Sequence, residues 1–171
     1  MQFSKRPFIT WLVTNALVAT GSFWAYKVGI ANMIWEADHT KLTLLAYVLF
    51  WLVSWHIGRV CRDIESYDGD STHAYEVLKM KTNVGFFWGQ ICLSVGLIGS
   101  LIGFIGMMLV AFGDVNLTAD AAALPSMLAG IGKNYGTALY VTLIGVMAGV
   151  VMQVQSFAAD YALDMKHHAL D

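Results

Sequence analysis

Long apolar runs alternate with short polar connections along the 171-residue chain. Positions 7–26, 42–58, 82–113 and 134–159 contain no Asp, Glu, Lys or Arg. Each run matches or exceeds the roughly 17–25 residues that a bilayer-spanning helix requires. The pattern predicts an all-α polytopic protein with four transmembrane helices, over about 7–29, 41–59, 84–113 and 133–159, forming one membrane domain across 1–171. The connections are a first outer loop "ANMIWEADHTK", a cytoplasmic segment over 59–83, a second outer loop over 113–132, where Pro125 and Gly130 disfavour one uninterrupted helix, and a C-terminal inner tail. Lys5 and Arg6 before the first run imitate a signal peptide, but the run continues through Phe23, Trp24 and Tyr26 without a small-x-small cleavage site. It reads as a retained helix.

A finer pattern lies inside the third run. Gly85, Gly89, Cys92, Gly96, Gly99, Gly103 and Gly106 are spaced by alternate steps of 4 and 3, which places all seven on one helix seam. Each interior glycine costs roughly 1 kcal/mol of helix propensity relative to alanine. In lipid, however, helices associate through close van der Waals contact, and small residues allow it. The fourth run repeats the device with Ala138, Thr142, Gly145 and Gly149, preceded by Gly132 and Gly136. These two helices are expected to form the packed centre of a homo-oligomeric ring, with Gly89, Gly96, Gly99, Gly103, Gly106, Gly145 and Gly149 as packing positions at a pore. The first two helices, richer in Trp, Phe and Leu, suit a wall against membrane lipid.

Composition agrees with a membrane setting: 57% of residues are hydrophobic and 13% charged. With the N-terminus inside, Lys5, Arg6, Arg59, Arg62, Lys79, Lys81 and Lys166 fall on the cytoplasmic side, against Lys27, Lys41 and Lys133 outside. The positive-inside bias therefore puts both termini in the cytoplasm. Trp11, Trp51 and Trp55 at the inner boundary and Phe23, Trp24 and Tyr26 at the outer one suit interfacial anchors.

Little else suggests chemistry. Cys61 and Cys92 form neither a disulfide framework nor a metal pattern. Asp63, Glu65, Asp68 and Asp70 miss the spacing of a calcium loop and read as a solvated turn around "DGD", with Asp70 or Ser71 as N-cap of a helix running through Tyr75, Val77 and Leu78 into the third spanning helix. The pair His167–His168 near Asp164 reads as part of a solvated tail, since adjacent helical residues diverge. A net charge of −2 gives no case for nucleic acid. No soluble-enzyme site, metal or cofactor is expected. A haem anchor would need a second buried histidine at the depth of His56, and His39, His73, His167 and His168 all fall in loops or the tail.

Three hydroxyls accompany the small seams: Ser100 in the third helix, Thr137 and Thr142 in the fourth. Each could simply bond a carbonyl of its own helix, or together they could line a polar ion route. "GLIGSLIGFIG" resembles the third-helix signature of the MotA/TolQ/ExbB proton-channel family, a Gly-Leu-Leu-Gly-Thr-x-x-Gly pattern, and "GTALYVTLIGVMAGVV" resembles that family's last helix. On that match Ser100 and Thr142 take the places of the two family threonines. Thr137 falls where the TolQ and ExbB branches carry a glutamate. The resemblance covers roughly 85–155.

The resemblance implies a bacterial inner-membrane, ion-driven motor subunit: a pentamer around a dimer of a single-pass partner of MotB, ExbD or TolR type, whose membrane aspartate carries the proton or sodium ion. Ser100, Thr137 and Thr142 would then form the ion pathway. The four-helix topology with both ends inside is that of the MotA branch. The short 59–83 connection departs from flagellar stators, which carry a large cytoplasmic domain there. Independently, proton relays in membranes use Asp, Glu or His, and the third and fourth runs contain none. A partner must supply the carrier, or the chain moves no protons and is a structural tetraspan anchor.

Overall fold

The computed structural model describes residues 6–38, 40–68, 72–112 and 124–169. Five helices fill them: α1 (Pro7–Lys27), α2 (Ile30–Ala37), α3 (Leu42–Glu65), α4 (Thr72–Phe112) and α5 (Leu124–His168). All except α2 are long and apolar enough to cross a membrane. The four expected spanning helices are therefore present as α1, α3, α4 and α5.

Their ends differ from the sequence reading. The first helix stops at Lys27 rather than 29, because Gly29 turns the chain at φ 86°, a conformation glycine adopts without side-chain clash. The expected first outer loop contains α2, which meets α5. Helix α3 runs on to Glu65, past the expected end at 59, whereas α4 begins at Thr72 and continues without a break, as the helix expected to run through Tyr75, Val77 and Leu78 into the third span does. Gly69 and Asp70 of the "DGD" turn, with Ser71, lie outside the described residues. Pro125 and Gly130 disfavour one uninterrupted helix in the second outer loop, yet α5 begins at Leu124 and continues through both. Proline in the first turn loses no hydrogen bond, since the N–H there has no helical partner. The expected inner tail is helix as far as His168.

Helices α4 and α5 form a long antiparallel pair, about 61 and 67 Å by helical rise. Helix α3 packs along one side of that pair and α1 packs mainly on α3. The core joins Phe50, Val53, Ile57, Val60 and Ile64 of α3 to Leu78 and Cys92 of α4 and to Met152, Ala159 and Leu163 of α5. Cys61 and Cys92 are both buried free thiols. The outer faces of the pair, including Leu97, Leu101, Ile105, Leu139, Leu143 and Met147, are exposed in the single chain.

The start of α3 is fixed by Asp38 and Thr40. Asp38 accepts hydrogen bonds from the Thr40 hydroxyl (2.7 Å) and the Thr43 amide (2.8 Å), and Lys41 Nζ lies 3.8 Å from the Trp35 ring centre. Burial pushes the Asp38 carboxyl up, but these hydrogen bonds outweigh it and hold the group below its ordinary value of 3.8. The folded protein therefore binds this proton less readily than the unfolded chain does. The resulting stability is fully present above the ordinary aspartate value and is lost as pH falls through the lowered one. Detergent-solubilised protein should accordingly lose melting temperature as pH falls from above the ordinary aspartate value of 3.8 to below it. Asp38→Asn should show a smaller loss over that interval, measured as the difference between the two melting curves; equal losses would remove Asp38 as the cause.

Candidate functional site

The small seam is the contact between α4 and α5 of one chain. A Cβ at Gly96 would lie 3.2 Å from the Gly145 Cα, and one at Gly149 would lie 2.8 Å from the Gly89 carbonyl oxygen. A Cβ at Gly103 would fall 2.7 Å from the Ala138 Cβ and one at Gly106 2.7 Å from Asn134 Oδ1, while a Cβ at Gly99 would meet the Val141 side chain and one at Gly85 the Ser156 Oγ. The packing positions expected at a pore are thus filled within the subunit by its own neighbouring helix. Gly132 has nothing within 4 Å of a Cβ.

Ser100 and Thr142 lie beside this seam. Thr142 Oγ1 donates to the Ala138 carbonyl at 2.7 Å and stands 3.4 Å from the carbonyl oxygen of Gly96. Ser100, one turn along α4 from Gly96, donates to the Leu97 carbonyl at 2.8 Å. Both hydroxyl hydrogens are therefore engaged within their own helices, while each oxygen keeps a lone pair free to accept. Thr137 sits on α5, but its side chain lies outside the described residues.

A second polar group, unforeseen from the sequence, ties α1, α3 and α5 together. Trp11 Nε1 donates to the Ser54 carbonyl at 2.7 Å, and the Asn15 amide donates to the Trp11 carbonyl at 2.9 Å. Ser54 Oγ lies 2.7 Å from Asn15 Oδ1 and 3.0 Å from Gln155 Oε1, so one hydroxyl hydrogen serves two carbonyls. Asn15, Ser54 and Gln155 are all buried. Among the described residues, Gln155 Nε2 and the buried Ser156 Oγ have no partner. The signal was available as Asn15 and Gln155 inside apolar runs, where an amide needs partners from another helix.

The basic end of the bundle carries the ion pairs. Lys79 Nζ lies 3.1 Å from Asp160 and 2.8 Å from Asp164. The Tyr75 hydroxyl also donates to Asp164 at 2.8 Å, and the Tyr75 ring stacks on His167 at 4.2 Å. Lys166 donates to the last carbonyls of α3, at Ile64 and Glu65. Lys81 pairs with Asp63 at 2.9 Å. These half-exposed pairs each contribute modestly, but together they tie the extensions of α4 and α5 into one unit. His167 thus belongs to an aromatic and ionic cluster rather than to a solvated tail. Among the described residues, no group of three His, Cys, Asp or Glu converges to hold a metal.

Chemically, 82–112 and 134–159 offer hydroxyls, amides and carbonyls but no group that titrates near neutrality. Such a surface can solvate an ion or orient a proton carrier, and it cannot itself be one. Comparison of the chain with protein-family models, curated proteins and solved structures finds no match.

Proposed function

We propose that this chain is the multi-pass subunit of a gradient-driven ion-conducting complex in a bacterial inner membrane, a homopentamer around a single-pass partner that brings a membrane carboxylate. The observation that carries the reading is the α4–α5 pair: two long helices in van der Waals contact, with hydroxyls beside the seam and no acid along either apolar run. Its likeness to the MotA/TolQ/ExbB signatures supports the same reading. Because the glycine seam is occupied within the subunit, the ring is built through the outer faces of α4 and α5.

On this reading the partner's carboxylate moves through a low-dielectric space that raises its pKa, so it takes up a proton on one side and releases it on the other. Ser100 and Thr142 act as acceptors, because their hydrogens are already bonded to Leu97 and Ala138 carbonyls. They bond the protonated acid directly, or ligate a sodium ion through the same lone pairs. Bonding the ionised carboxylate would require a hydroxyl to leave its own helix.

Those same internal bonds favour a second reading, a tetraspan anchor whose hydroxyls serve only the backbone. Vesicles containing the complex separate the two. Thr142→Val is expected to leave assembly intact and reduce gradient-dependent flux several-fold, with Ser100→Ala milder because it leaves space for water. Unchanged flux in Thr142→Val and in a triple variant with Ser100→Ala and Thr137→Val would return the hydroxyls to backbone bonding.

A further inference from the structure

Two glutamines occupy an unexpected place on the α4–α5 pair. Gln153 is half-buried, with its Cγ 2.9 Å from where a Gly89 Cβ would stand, and Gln90 is the next residue along α4, exposed. Among the described residues neither side-chain amide has a hydrogen-bond partner. Ser94, one turn further on and also exposed, bonds only the Gln90 main-chain carbonyl.

Their depth makes this costly. Gly85 is level with Ile57, near the inner end of the apolar run of α3, and Gly99 is level with Leu42 at its outer end. Gln90 and Gln153 lie between those levels, alongside the stretch of α3 that carries no charge. An amide facing acyl chains there leaves both its donors and its acceptor without partners, which hydrocarbon penalises heavily. The exposed Thr20 hydroxyl of α1 avoids that cost by donating to the Ala16 carbonyl at 2.7 Å. A glutamine with two N–H bonds and a carbonyl cannot be satisfied by one such bond.

We infer that Gln90, Gln153 and Ser94 line a water-filled vestibule on the basic, cytoplasmic side of the Ser100–Thr142 level, so that water replaces lipid along this strip of the pair. The inference rests on the proposed ion-conducting reading for its purpose and on exposure and depth for its content. Water there would hydrate an ion before it reaches the hydroxyls, which makes the strip the cytoplasmic mouth of the route.

The test is thiol labelling in inside-out membrane vesicles with a charged, membrane-impermeant methanethiosulfonate. Wild type is the blank, because Cys61 and Cys92 are buried. Thiols react as hydrated thiolates, so Gln90→Cys and Gln153→Cys should label at least about tenfold faster than Leu52→Cys, an exposed apolar position of α3 at similar depth. Ser94→Cys should follow the glutamine positions, and it covers the case in which Gln153→Cys disturbs the Gly89 contact. Slow labelling at all positions, or equally fast labelling including Leu52→Cys, overturns the vestibule. No gradient is needed, so the outcomes separate: slow labelling with intact ion flux removes the vestibule alone, and fast labelling without flux keeps the water and removes the ion-driven reading.

Discussion

Gly145→Leu is expected to abolish accumulation of folded protein. A Cβ at this position would stand 2.7 Å from the Gly96 Cα, 2.9 Å from the Cys92 carbonyl oxygen and 3.0 Å from the Gly96 nitrogen. All three neighbours are backbone of α4, and no rotamer change can clear them. The helices must separate, and in lipid the close contact that separation destroys is what holds them together. The penalty should reach or exceed about 3 kcal/mol, the upper range for overpacking a dense core. Gly132→Leu is the control, because nothing lies within 4 Å of a Cβ there. The yield of monodisperse protein on gel filtration checks both; a normal yield and melting temperature for Gly145→Leu would disprove the tight pair.

The second large effect is expected at Trp11. Its indole covers Gly58, where a Cβ would fall 2.6 Å from the ring, and its Nε1–H is the donor to the Ser54 carbonyl. Phe8 stacks on it at 5.4 Å. Trp11→Ala removes the ring that fills the α1–α3 contact and leaves Ser54 and Asn15 to rearrange around a void. Large-to-small changes of this kind cost about 3–5 kcal/mol in well-packed cores. The local consequence is release of α1, detectable as faster proteolysis within Pro7–Lys27 while α3, α4 and α5 stay protected. Trp11→Phe should retain part of the packing and lose the hydrogen bond. If Trp11→Ala leaves α1 as protected as wild type, α1 is held by something other than this side chain.

The 4–3 spacing of the glycines showed that one face of α4 is bare, and the runs without charge located all four spanning helices. Which helix meets that face was not legible, because a neighbouring subunit and α5 of the same chain satisfy a small seam equally well. Helix ends were misplaced for a different reason. A charge marks the edge of the apolar run, not the end of the helix, so Asp160 and Asp164 were placed in an inner tail, although α5 continues through them and they pair with Lys79 of α4. Pro125 was read as a breaker when its place in the first turn makes it harmless. The Asn15–Ser54–Gln155 group escaped because its members are 39 and 101 positions apart, and no local periodicity couples them. Ser100 and Thr142 were singled out by type and position, but only the structure reveals that their hydrogens are already committed.

The mass of the complex tests the central claim most directly. Extracted from its native membrane in mild detergent and measured by native mass spectrometry, the chain should appear as five copies together with two copies of a single-pass membrane protein bearing an acidic residue in its span. A monomer, or an oligomer without such a partner, would contradict the account.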